Sequence, residues 1–300
     1  MRIASLLPSA TEIVCALGAR AQLVGRSHEC DFPAGLEEVP VLTSARLGPL
    51  PSSKAIDQGV RDLIKDALAI YQIDVERLRD ARADVIVTQD LCEVCAVSLD
   101  DVLSAVVRVA QQDTRIVTLH PMRLDDLWRD IARVAEAIGR AEIGRQVVAE
   151  LQSRVAGIES RTARLAGRPR VLTVEWIDPV MIGGMWMPEL VTLAGGEPLV
   201  TRPGEYAPTL DAAALAALDP EVVLVKPCGF PLRRTLEELD VLRAALPRSW
   251  RARTWVTDGN AFFNRSGPRL VESLEILAAC VHPEEFGDFA VKHGAEMKAV

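Results

Sequence analysis

Two short segments gather the side chains best suited to metal or thiol chemistry. They are Ser27-His28-Glu29-Cys30-Asp31 and Gln89-Asp90-Leu91-Cys92-Glu93-Val94-Cys95. Imidazole and thiolate are ligands for zinc, iron–sulfur clusters and cobalt. The Cys92-x-x-Cys95 spacing lets two sulfurs reach one ion, and Glu29, Asp31 and Glu93 could orient the ligands from behind. His28, Cys30, Cys92 and Cys95 are therefore the candidate metal ligands. Two other readings of the cysteine pair stay open. It could form a strand-to-helix turn with one buried thiol, or a redox pair whose thiol pKa is lowered by a helix N-terminus. His28 could be a hydrogen-bonded loop residue, or it could coordinate the metal of a bound ligand.

A second set lies in the other half of the chain. Trp176, Met181, Met185, Trp186 and Met187 surround Gly183-Gly184. Glycines let backbone approach a ligand closely, and Trp and Met make a flat, adaptable apolar wall. Ordinary core packing is the competing reading. Tyr206, Phe262 and Phe263 add further flat surface for a macrocycle. Arg265 and Arg269 could meet carboxylates or amide oxygens, or could serve as caps and ion pairs. Arg46 and Tyr71 are lesser candidates in the first half. His282 and His293 fall in a polar tail where no role is expected. The G-x-G-x-x-G, P-loop, G-x-S-x-G and H-E-x-x-H patterns are missing, so hydrolase and kinase chemistry is unsupported. A ligand-binding protein is expected rather than an enzyme.

Strands and helices in alternation must position these groups. Strands are expected at Arg2 to Leu7, Leu23 to Arg26, Asp84 to Thr88 and Arg115 to Leu119, with helices at Thr11 to Leu17, 57–68, 74–81 and 99–110. Residues 34–55 read as loop. From Leu124 to about Leu165 the chain is free of Pro and rich in helix formers, which predicts a long helix, broken if anywhere near Gly139 or Gly144. Alternation then resumes, with strands at 170–175, 222–225 and 255–257 and helices at 188–194, 211–218, 235–245 and 268–280. The expected fold is α/β: two Rossmann-like lobes with parallel sheets, joined by a backbone helix. The divisions fall at 1–122, 123–167 and 168–300. Ligands of open α/β sheets bind beyond the carboxyl ends of the strands, so the cleft between lobes is the expected site.

The 300 residues carry 49% hydrophobic and 25% charged side chains and a net charge of −8. That charge argues against a nucleic-acid partner. No run approaches the ~18 apolar residues of a membrane span, and Pro8 interrupts the first apolar run, so no signal peptide or membrane insertion is expected and the cytoplasm is the expected location. There the six cysteines should stay reduced. Cys15 and Cys280 read as buried small hydrophobes.

The opening IASLLPSATEIVCALGARAQLVGRSHECDFP resembles the class of periplasmic binding proteins that carry vitamin B12, haem and siderophores for ABC importers. IDVERLRDARADVIV and VTDGNAFFNRSGPRLVESLEILA resemble later runs of the same family, so the likeness spans nearly the whole chain and is closest to the cobalamin-binding type. It implies two α/β lobes, a rigid backbone helix, and a cobalamin or other tetrapyrrole-type ligand. Pro8 and Ser9, in the opening turn, join the ligand-binding candidates through it. It further implies a role for Tyr206 over the ring, with Phe262, Phe263 and Arg265 beside the ligand, although Ala261 stands where an aspartate is expected. Glu76 matches an acidic residue that docks to a transporter, with a poor counterpart at Asp211-Ala212. The implied partner is a transporter or a corrinoid-handling enzyme. A metal- or iron–sulfur-dependent redox protein or enzyme on the same scaffold is one alternative, and the substrate-binding component of an ABC importer is another.

Overall fold

The computed structural model describes residues 1–65, 71–90 and 114–300. They form two compact units. The first comprises Met1–Pro51, Gln58–Pro121 and Asp125–Glu150; the second comprises Ser52–Asp57, Met122–Leu124 and Leu151–Val300.

In the first unit, β1 (Ile3–Ser5), β2 (Leu23–Gly25), β5 (Val85–Gln89) and β6 (Arg115–Leu119) make a parallel sheet in the order β2-β1-β5-β6. β1 is buried along its whole length, as a central parallel strand should be. Helix α1 (Pro8–Ala16) begins at Pro8, whose missing N–H costs nothing in the first turn. Gly18, at φ +69°, ends it. Helix α2 (Ser53–Lys65) begins four residues before its expected start, and only its residues from Gln58 on belong to this unit. Helix α3 (Val75–Ala81) is N-capped by Asp74, which accepts from the Arg77 N–H at 3.0 Å. A short antiparallel pair joins β3 (Thr43–Ala45), inside the 34–55 stretch expected to be loop, to β4 (Tyr71–Ile73), for which the sequence carries no assignment. Three residues are too few to show a period of two, which is why the pair was illegible. The expected helix over 99–110 lies outside the described residues.

The long helical segment is two helices, α4 (Leu124–Ala137) and α5 (Ala141–Thr162), separated at Gly139, which adopts φ +71°. Gly144 sits inside α5. Asp125–Glu150 of this segment falls in the first unit, and Leu124 and the residues from Leu151 on fall in the second.

The second unit holds a six-stranded sheet. β12 (Met297–Ala299), β11 (Arg253–Thr257), β10 (Val222–Val225), β7 (Arg170–Trp176) and β8 (Met181–Ile182) follow in that order, and β9 (Glu197–Pro198) pairs with β7. β10 lies parallel between β7 and β11, and all four of its residues are buried. Helices α6 (Met187–Leu193), α7 (Ala212–Ala216), α8 (Leu232–Glu237), α9 (Leu239–Ala245), α10 (Leu270–Val281) and α11 (Gly287–Lys292) complete it. The helix expected over 235–245 is two, α8 and α9, meeting at Glu238. The tail expected to be polar and without a role is α11 and β12. His293 there is buried and bonds Glu275 Oε2 at 2.8 Å, and His282 Nε2 lies 3.0 Å from the Gly195 carbonyl. Lys292 and Arg154 join the same carboxylate at 2.6 and 2.7 Å.

Candidate ligand-binding site

The loop after β2 is tightly determined. A Cβ at Gly25 would stand 2.2 Å from the Leu42 side chain, so only glycine fits there. Arg26 then pins the loop, donating to the carbonyls of Leu36, Ser27 and Cys30. His28 is half-buried. Its backbone N–H and its ring Nδ1 lie 3.1 and 2.8 Å from Thr43 Oγ1 on β3. Its ring meets Tyr71 edge-on, with centroids 5.2 Å apart, and the Tyr71 hydroxyl donates to Glu29 Oε1 at 2.7 Å. Burial lowers the His28 pKa below its ordinary value, against the opposing pull of Glu29.

Cys30 turns inward. It is buried, with its sulfur 3.0 Å from Thr11 Oγ1. Thr11 donates its proton to Ser5 Oγ at 2.7 Å, which leaves the Cys30 thiol as the donor to Thr11. Among the described residues there is no group of three or more His, Cys, Asp or Glu placed to hold a metal ion. The expected four-ligand cluster is thus represented here by His28 and Cys30, each tied to a different threonine; Cys92 and Cys95 lie outside the described residues. Of the other candidates in this unit, Pro8 is half-buried and Ser9 buried in the first turn of α1. Arg46 is exposed on the surface. Glu76 is exposed in the first turn of α3, beside Arg79.

In the second unit the expected apolar wall is mostly core. Trp186, Met187, Phe262 and Phe263 are 7% exposed or less. The Trp186 indole N–H donates to the Phe263 carbonyl at 2.8 Å. Burying such rings removes 150–250 Å² each from water, so they fill the space beneath the loops rather than face a ligand. Trp176, at the end of β7, is half-buried; its indole N–H donates to the Ser53 carbonyl at 3.2 Å and its ring meets Phe230 edge-on. Met181 is half-buried on β8. Tyr206 stands out at 60% exposed. Its loop crosses so close to Gly184 that a Cβ there would lie 2.4 Å from the Glu205 carbonyl oxygen. Arg265 donates to Asn260 Oδ1 at 3.1 Å, and Arg269 lies over the Phe262 ring at 5.5 Å. Asp211 caps α7, accepting from the Ala214 N–H at 2.8 Å.

One group at the carboxyl end of β10 escaped the sequence reading. Lys226 is 1% exposed, yet its ammonium donates to Glu175 Oε2 at 2.6 Å and to Asn264 Oδ1 at 2.7 Å. Asn264 returns two bonds, to the carbonyls of Lys226 and Gly259. A charge buried this deeply must be paired. Here the pairing ties β7, β10 and the 259–265 loop together, with Phe263 held at φ +67°. The available signal was a lone lysine following an all-apolar strand.

Comparisons with known proteins fit this geometry. A family model described as periplasmic binding protein matches residues 3–245. Among solved structures, the periplasmic haem-binding protein RhuT from Roseiflexus sp. RS-1 is 18% identical, covering 96% of this chain and 98% of its own, with a TM-score of 0.68. The periplasmic vitamin B12 binding protein BtuF of Vibrio cholerae is 17% identical, covering 96% and 97%, with a TM-score of 0.65. IsdE of S. aureus, solved in complex with haem, is 13% identical, covering 94% and 98%, with a TM-score of 0.66. No curated protein matches the sequence.

Proposed function

The chain belongs to the periplasmic binding protein family, and from that premise we propose that it binds a corrinoid or a comparable tetrapyrrole-type metal chelate and delivers it to a partner. The observation that carries this reading is the neighbourhood of its fold. Proteins described as haem-binding and as vitamin B12 binding share the architecture over nearly their whole length. Its own residues suit such a ligand: His28 offers a ring nitrogen at the carboxyl end of β2, and Tyr206 offers an exposed aromatic face. The metal of such a chelate would accept a nitrogen ligand, which His28 of the first unit would supply; Tyr206 belongs to the second unit.

The partner is a transporter or a corrinoid-handling enzyme, with exposed Glu76 as the docking residue. Residence in the cytoplasm is part of the proposal, supported by the thiols of Cys15, Cys228 and Cys280, which suit a reducing compartment. Cell fractionation tests that part. Among the described residues no helix is long and apolar enough to cross a membrane. The central test is incubation of the purified protein with aquacobalamin, diaquacobinamide and hemin, followed by gel filtration with absorbance from 300 to 700 nm. Co-elution of at least one is expected; failure of all three to co-elute overturns the proposal.

A further inference from the structure

Lys226 and Glu175, in the second unit, form a pair in which one atom is left over. Lys226 donates one N–H to Glu175 Oε2 at 2.6 Å and another to Asn264 Oδ1 at 2.7 Å. The lysine cannot turn elsewhere. Its stem packs beneath Gly183, where a Cβ would stand 3.3 Å from Cε. Asn264 is fixed by its bonds to the carbonyls of Lys226 and Gly259, and a Cβ at Gly259 would stand 2.1 Å from the Pro227 carbonyl oxygen. Glu175 is anchored at both ends: its carbonyl accepts from the Cys228 N–H at 3.1 Å, and its Oε2 from the ammonium. Its Oε1 has no partner among the described residues, in a side chain that is 18% exposed. Glu175 lies at the carboxyl end of β7, an interior strand of its sheet, and open α/β sheets offer such ends to ligands. As the counter-ion of a buried ammonium, Glu175 is a carboxylate, and a carboxylate accepts hydrogen bonds but donates none.

Resting on the proposed function, we infer that Glu175 Oε1 is a specificity-determining acceptor that takes an N–H from a carboxamide on the rim of the chelate, and that Lys226 is the positioning residue that aims it. The ring's periphery then decides which chelate is held. A carboxamide brings hydrogens to Oε1. A carboxylate in the same place brings none, sets a second negative charge beside the first, and leaves Oε1 stripped of water without a replacement bond. An amide-bearing corrin is therefore favoured over a carboxylate-bearing ring of the same size.

The test is calorimetric titration of the full chain with two corrins that share ring and metal: diaquacobinamide, which bears carboxamides, and diaquacobyrinic acid, which bears carboxylates in their place. Aquacobalamin and hemin complete the set. Wild type should bind the amide corrin about 10- to 100-fold more tightly than the carboxylate corrin, the range for one hydrogen bond to a charged group. The protein's net charge of −8 also disfavours the carboxylate corrin, so the decisive readout is the change in that ratio. Glu175→Gln both accepts and donates, and should largely erase the part of the preference that Glu175 supplies. A merely structural role would weaken both corrins alike and leave the ratio standing. Because Glu175→Gln strands a buried ammonium and could fail to fold, the double variant Glu175→Gln/Lys226→Met, which removes both charges, should show the same loss. Equal binding of the two corrins by wild type, a preference for the carboxylate form, or a ratio unchanged in the folded variants overturns the inference while leaving the proposed function standing. So does binding of hemin alone. Failure of the wild type to bind aquacobalamin, either corrin or hemin overturns both.

Discussion

Asp130 and Glu275 are both buried carboxylates, and their surroundings drive them in opposite directions. Asp130 bonds Arg133 through Oδ1 at 2.6 Å, while Oδ2 has no partner among the described residues. Burial raises its pKa from 3.8 to about 6, against the pull of Arg133. A folded-state pKa raised above the unfolded value gives stability that is complete below pH 3.8 and lost as pH rises through about 6. Between pH 4 and 7, wild type should lose on the order of 2 kcal/mol relative to Asp130→Asn, as urea melts across that window would measure. For Glu275, burial opposes ionisation, but the bonds from His293, Lys292 and Arg154 outweigh it and bring the pKa down to about 2. That stability is present above pH 4.5 and lost as pH falls toward 2. Glu275→Gln should cost roughly 3 kcal/mol at pH 7, the scale for breaking a buried ion pair, and should flatten the acid limb of the stability curve. An unchanged acid limb would refute the assignment.

At the scale of elements, Gly184 decides where the Tyr206 loop runs. Gly184→Ala would drive a Cβ into three backbone atoms of residues 205–207, none of which is a flexible side-chain end. Strain of that kind costs typically 1–3 kcal/mol, so the melting temperature should fall and chelate affinity with it, whereas Gly157→Ala, inside α5 with nothing within 4 Å of the Cβ, should leave affinity unchanged and raise stability by about 0.5–1 kcal/mol. The elements themselves were largely legible in the sequence. β6 and β10 fall on the residues their patterning predicts; β10 does so because a strand buried on both faces is a continuous apolar run bounded by polar residues. Asp74 and Asp211 mark helix starts by chemistry that is local to four residues. What was illegible is what depends on distant partners. β3, β4 and β12 are defined by the strands they pair with, and Lys226 by Glu175 and Asn264, 51 and 38 residues away in the chain. For Trp186 the sequence leaves ligand wall and core packing open, and it offers Phe262 and Phe263 as ligand surface, because composition cannot tell a ring beneath a loop from a ring upon it.

For the whole molecule, ligand binding and stability are linked. A chelate that binds only the folded state at 100 times its dissociation constant adds about 2.7 kcal/mol. Thermal melts with cobinamide or hemin should therefore shift upward in a concentration-dependent way, and the shift should shrink in His28→Ala. A melt indifferent to every chelate tested would contradict the proposed function. The likeness to haem- and B12-binding proteins at 13–18% identity also shows how little of this architecture depends on particular side chains.

The second unit is discontinuous in the chain, and that bears on how the gene can be cut. Ser53 belongs to it through two bonds: its carbonyl accepts from Trp176, and its N–H donates to the Glu238 carboxylate at 2.9 Å. A fragment begun within α5 omits Ser53, and leaves Trp176 and Glu238 each short of a partner at a cost of about 1–3 kcal/mol apiece. Arg123 and Leu124, both bonded to Glu189, would be lost by the same cut. Modules exchanged between members of this family therefore cannot be single stretches of DNA: a transplanted C-terminal half must bring residues 52–57 and 122–124 with it to arrive intact.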